Sequence, residues 1–104
     1  PLARGRRRAQ RELARALGGA DSAVRELAAW HEFLGARTGE VAEAWNGRDV
    51  ARWNAERVRP LAPELARALA ALLARLEAAA FGGAARVPAA ELQALAGKLA
   101  EVLR

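Results

Sequence analysis

The chain has no cysteine, methionine or tyrosine, and a single histidine among 104 residues. Without cysteine there can be no disulfide, thiolate metal site or cysteine nucleophile, and nothing indicates the redox compartment. With His31 alone, a zinc site would have to be completed by carboxylates. His31-Glu32 opens like a zinc-protease helix, but the position four residues on is Gly35, so the second imidazole is missing. Serine occurs only as Ser22, at a helix start and outside any triad arrangement. Gly18-Gly19 and Gly82-Gly83 both lack the Lys-Ser/Thr that would make a phosphate loop. No apolar run reaches the roughly 18 residues that span a bilayer, and no stretch alternates as a strand does. These absences argue against an enzyme, and no metal or cofactor is expected.

Alanine, leucine and arginine dominate, and apolar residues make up 53% of the chain, which fits one core in one domain. The longest helical pattern is PELARALAALLARLEAAAF, residues 63–81. Leu65, Leu69, Leu72, Leu73, Leu76 and Ala80 fall on one face of it, with Glu64, Arg67, Arg75 and Glu77 opposite. Pro63 suits the first turn and Gly82-Gly83 the stop. Residues 22–37 form a second amphipathic pattern, capped by Asp21 or Ser22, with Val24, Leu27, Ala28, His31 and Leu34 inward and Trp30 at the edge. A short helix after Thr38-Gly39 points Val41 and Trp45 inward, leaving Glu40 and Glu43 outward. Asn46-Gly47 is a turn, and a helix from Asp49 to Arg59 carries Val50, Trp53 and Val58 on one side. Pro60 makes RPLAP a rigid corner. Pro88 opens a last helix with Leu92, Leu95, Leu99, Val102 and Leu103 on one face and Gly97 in its interior. The expected fold is all-α, a small bundle of four to five short helices around residues 63–81.

The net charge of +5 has one location. Residues 1–15 carry Arg4, Arg6, Arg7, Arg8, Arg11 and Arg15 against Glu12, while residues 16–104 balance. The chain therefore divides into a basic lead-in, residues 1–19, and a neutral bundle, residues 20–104. As a helix the lead-in gathers Arg4, Arg7, Arg8, Arg11 and Arg15 on one face. That is a stripe able to contact phosphates, whether of an anionic membrane surface or of a nucleic acid. Such a stripe is equally the solvated face of an arginine-rich helix. The three tryptophans, Trp30, Trp45 and Trp53, are the right size to fill an Ala-rich core. Phe33 falls on the charged face beside Arg25 and Arg37. It is either covered by a neighbouring segment or part of a partner patch formed by Arg25, Phe33 and Arg37.

The order of segments is an arginine cluster, AVRELAAWHEFLGARTG, a short helix, LLARLEAAAFGG and AAELQALAGKLAEVL. It resembles the C-terminal helical region of the BatD family of bacterial membrane proteins, also called oxygen-tolerance proteins. The family's Leu-Glu-x-Ala-x-aromatic signature, closed by small residues, reads here Leu76-Glu77-Ala78-Ala79-Ala80-Phe81-Gly82-Gly83. The segment NGRDVARWNAERVRPLAP departs from that pattern. The resemblance implies a transmembrane helix and a β-rich extracytoplasmic region ahead of Pro1, with this domain on the cytoplasmic face of the bacterial inner membrane. The arginine cluster would be the positive-inside flank of that helix. It further implies a non-enzymatic interaction or scaffold role with a MoxR-type AAA+ ATPase and a von Willebrand A-domain protein, and it carries no catalytic residues. The competing expectation is a small arginine-rich protein that binds nucleic acid through the same lead-in.

Overall fold

A computed structural model describes Arg11 and residues 22–103. Arg4, Arg6, Arg7, Arg8, Arg15 and Asp21, and with them the expected lead-in helix, lie outside the described residues; Arg11 is exposed. Helix α1 (Ala23–Thr38) starts at Ser22, whose Oγ accepts the Arg25 N–H at 3.3 Å, an otherwise unpaired donor of the first turn. It ends at Gly39, which takes the left-handed conformation (φ +73°) and returns its N–H to the Gly35 carbonyl.

The buried arc of α1 is wider and differently centred than its sequence pattern indicates. Val24 and Ala28 face solvent, whereas Trp30 and Phe33 are buried along with Leu27, His31 and Leu34. The cause is that α1 is packed from two sides, by the central helix and by the segment that follows Gly39. Trp30 and Phe33 meet edge to face, with ring centroids 5.4 Å apart.

That following segment crosses α1 very closely. A Cβ on Gly35 would lie 2.7 Å from the Glu40 carbonyl oxygen and 3.2 Å from the Ala42 nitrogen, both backbone atoms. Gly35→Ala gains about 1 kcal/mol of helix propensity but meets an overpacking cost of typically 1–3 kcal/mol. Because the obstructing atoms are backbone and cannot rotate away, the clash wins. Gly35→Ala is expected to lower the urea midpoint, and a larger residue there to lower it further.

Residues Ala42–Trp45 form a 3₁₀ helix instead of an α-helix. With three residues per turn, Val41 and Trp45 no longer share a face. Trp45 is fully buried, while Val41 is 69% exposed rather than inward. Helix α2 (Val50–Ala55) is capped by Asp49, whose Oδ1 accepts the Arg52 N–H at 3.1 Å. It ends four residues short of Arg59, so Val50 is buried and Trp53 half-buried, but Val58 lies outside any helix.

Helix α3 (Pro63–Phe81) has the bounds its pattern indicates, with Pro63 in the first turn. Leu69, Leu72, Leu73 and Leu76 are buried and Leu65 is half-buried. Glu77 is half-buried rather than on the outer face. The helix stops where the Gly82 and Ala84 N–H groups both return to the Ala78 carbonyl, at 2.8 and 3.1 Å, and Gly83 takes φ +74°. Helix α4 (Ala89–Val102) buries Leu92, Leu95, Leu99 and, just past its end, Leu103. Val102 lies at the edge of that arc and is 52% exposed, not inward.

The described residues are all helix, turn and connection, with no strand among them. The whole is a small all-α bundle whose core runs through Trp30, Leu34, Trp45, Leu69, Leu76, Leu92, Leu99 and Leu103. The connection before α4 is tied back to α1 by Arg86, whose Nε donates to the buried Glu26 carboxylate at 2.9 Å across 60 residues of chain.

Candidate protein-binding corner

Residues 40–61 concentrate the polar chemistry of the described chain. Glu40, expected to be solvated beside Glu43, is instead gripped by Arg48 in a two-pronged pair, with both N–O distances 2.8 Å. Both side chains are mostly buried, which makes this fork stronger than an ordinary surface pair. The Arg48 hydrogen bond holds the Glu40 carboxyl below the usual range for a glutamate. Desolvation opposes this, and hydrogen bonds from Thr38 and Trp53 add to it. The same contact pushes Arg48 upward.

Arg48 also lies over the Trp45 ring at 4.6 Å; Trp45 meets Trp53 at 4.8 Å, edge to face; and Arg57 covers Trp53 at 4.7 Å. Two tryptophans in edge-to-face contact, each covered by an arginine, thus form a ladder from the buried Trp45 to the surface, each rung a cation–π or aromatic contact. The ladder ends at the corner between α2 and α3. There Asn54 holds Leu61 from both sides: its Oδ1 accepts the Leu61 N–H at 2.7 Å and its Nδ2 donates to the Leu61 carbonyl at 3.1 Å. Leu61 is buried, so the base of the corner is fixed in the core. Arg57 Nε donates to the Arg59 carbonyl at 3.3 Å, and Pro60 holds Arg59 out of the helical region. The tip of this pinned loop is Val58, 99% exposed, between Arg57 and the exposed Arg59.

The patch of Arg25, Phe33 and Arg37 is not an open apolar contact. Phe33 is 7% exposed, covered against Trp30, and the Arg37 guanidinium lies 5.7 Å from its ring. Of the two readings open for Phe33, cover is the one the fold adopts. The most exposed large apolar side chains among the described residues lie elsewhere, at Val58 and at Phe81, which is 75% exposed at the end of α3, ahead of Val41, Val102 and Val24.

His31 is buried between α1 and α3, and its Nε2 has no hydrogen-bond partner among the described residues. Burial lowers its pKa from the ordinary imidazole value, and the Glu77 carboxylate partly offsets this. The folded state therefore resists protonation that the unfolded chain accepts near pH 6.5. Stability contributed by neutral His31 is complete above that value and is lost as the pH falls towards the lower folded pKa. Thermal melting is expected to drop between pH 7.5 and 5.5, and His31→Leu to flatten that dependence. Among the described residues no group of His, Asp and Glu is arranged to hold a metal ion, and no helix is long and apolar enough to cross a membrane. Comparison with family models, curated proteins and solved structures finds no match.

Proposed function

We propose that this chain is a non-enzymatic protein–protein interaction domain on the cytoplasmic side of a bacterial membrane protein, working with a MoxR-type AAA+ ATPase and a von Willebrand A-domain protein. The observation that carries an interaction role is the pinned corner, where Asn54 and the Arg–Trp ladder hold a loop whose tip is the fully exposed Val58 between two arginines. A fixed loop loses little conformational entropy on binding. An apolar tip with cationic flanks fits an apolar pocket rimmed by carboxylates. The choice of partners and of the membrane side rests on the BatD-like segment order. In this reading Arg4, Arg6, Arg7, Arg8, Arg11 and Arg15 flank a membrane exit. The nucleic-acid alternative draws nothing from residues 22–103, where ten Lys and Arg are matched by ten Asp and Glu.

The test is titration of a purified MoxR-type ATPase of the same organism with the wild-type chain and with Val58→Asp. Burying a valine is worth about 1.5–3 kcal/mol, so affinity is expected to fall at least tenfold while the melting temperature stays put. Equal binding by the two chains would remove the corner from the interface.

A further inference from the structure

Helix α4 is buried over more of its girth than α3 alone covers. Leu95 faces α3 beside Leu65 and Ala68, and Ala96, Ala100 and Gly97 follow about 100°, 140° and 200° round the helix from it. All four are buried. The buried arc is therefore about twice the roughly 100° stripe of a helix that rests on one side. Gln93 and Glu101, four residues to either side of Gly97, are half-buried and engaged in polar interactions. A face of glycine and alanine has no long side chains to be covered from a distance, so a chain must pass close to it. Among the described helices, α3 is the one that packs closely on α4.

We propose that this edge of α4 is the seat of the chain's own lead-in, residues 2–17, lying along it as an antiparallel helix. The path of the chain puts the lead-in there. The Glu26–Arg86 pair ties the start of α1 to the connection that opens α4, so the chain that precedes Ser22 sets out from the N-terminal end of α4. Gly18-Gly19 supply the turn. From Leu17 back to Arg6 a helix spans about 17 Å, and from Gln93 to Leu103 about 15 Å, at 1.5 Å per residue. Arg11 is helical and exposed, which turns Ala9, Leu13, Ala16 and Leu17 to the opposite side. The alanines and Gly97 let the two axes come close, with Leu13 and Leu17 as the knobs. Arg6 alone of the lead-in's arginines falls on that apolar line, two turns before Leu13, and it reaches Glu101, the acidic residue at the far end of α4. Arg4, Arg7, Arg8, Arg11 and Arg15 then face outward as a basic stripe fixed to the bundle instead of carried on a free tail. The inference goes beyond the interaction-domain reading and uses neither the Val58 corner nor the partner.

Because the chain has no cysteine, engineered pairs in the full chain report on this packing without interference, with circular dichroism confirming that each variant keeps its helices. A disulfide needs the two Cα atoms within about 7 Å. Ala9→Cys/Ala100→Cys and Leu13→Cys/Ala96→Cys, on the facing sides, should therefore close an intramolecular disulfide roughly tenfold faster in dilute solution than the outward pair Arg11→Cys/Ala100→Cys. Urea unfolding of two single variants is the second measurement. Glutamine is a good helix former, so Leu13→Gln should lower the midpoint through lost packing alone, while Arg11→Gln leaves it in place. Facing pairs that oxidise no faster than the outward pair overturn the proposal. So does a Leu13→Gln midpoint equal to that of Arg11→Gln, the result for a lead-in solvated on all sides.

Discussion

Replacing Trp45 by alanine is expected to cost about 3–5 kcal/mol, the range for deleting a large buried aromatic, read as a lower urea midpoint with an unchanged slope. Trp45 is fully buried and is where three things converge: the 3₁₀ helix that carries it, the edge of Trp53, and the Arg48 guanidinium that also grips Glu40. Its loss removes the inner rung of the ladder and leaves a cavity between α1 and the crossing segment. Trp45→Phe separates packing from polarity. The indole N–H is buried with no hydrogen-bond partner among the described residues, so removing it gives up no bond and relieves an unpaired donor. The phenylalanine variant should therefore retain most of the stability that alanine loses. An equal loss for both would mean that the indole N–H is satisfied in solution, for instance by a buried water.

The second large effect is at Asn54. Its side chain serves both backbone groups of Leu61, and Asn54→Ala leaves a part-buried N–H and a part-buried carbonyl without partners. Each orphaned group costs about 1–3 kcal/mol. Water reaches a part-buried site, so the lower figures apply and the expected total is about 2 kcal/mol. Asn54→Asp keeps the acceptor for the Leu61 N–H but loses the donor, and should lie between alanine and wild type. Beyond stability, Asn54→Ala frees the corner that presents Val58. Partner affinity should fall in this variant even at temperatures where it is fully folded. Unchanged affinity would show that holding the loop fixed contributes nothing to binding.

How far the fold was legible from the chain depended on whether a helix buries a single face or is packed from two sides. For α3 a single Leu stripe, Pro63 in the first turn and Gly82-Gly83 at the end give the helix bounds directly. In α1 the 3.6-residue pattern places Val24 and Ala28 inside and Phe33 outside, since it assumes one buried side; two packed sides bury Phe33 and expose the others. Val41 was misplaced because α-helical spacing was applied to a 3₁₀ turn. Val58 was misplaced because the helix was carried to Arg59, although Pro60 already restrains that residue. The Asn54–Leu61 clasp and the Glu40–Arg48 fork join residues seven and eight apart across turns, where no periodicity reports them. Arg-Val-Arg-Pro was the available signal for the corner: a proline-stopped helix followed by an apolar residue between like charges.

In the proposed role this bundle binds a protein through the corner at residues 57–60. The most direct test is to follow backbone amide resonances of the isotope-labelled full chain while unlabelled MoxR-type ATPase is added. The largest shifts and broadening are expected to cluster at Arg57, Val58 and Arg59 and at Trp53 beneath them, with the buried amides of α3 scarcely perturbed. Perturbation centred away from the corner, with Val58 unmoved at saturation, would contradict it.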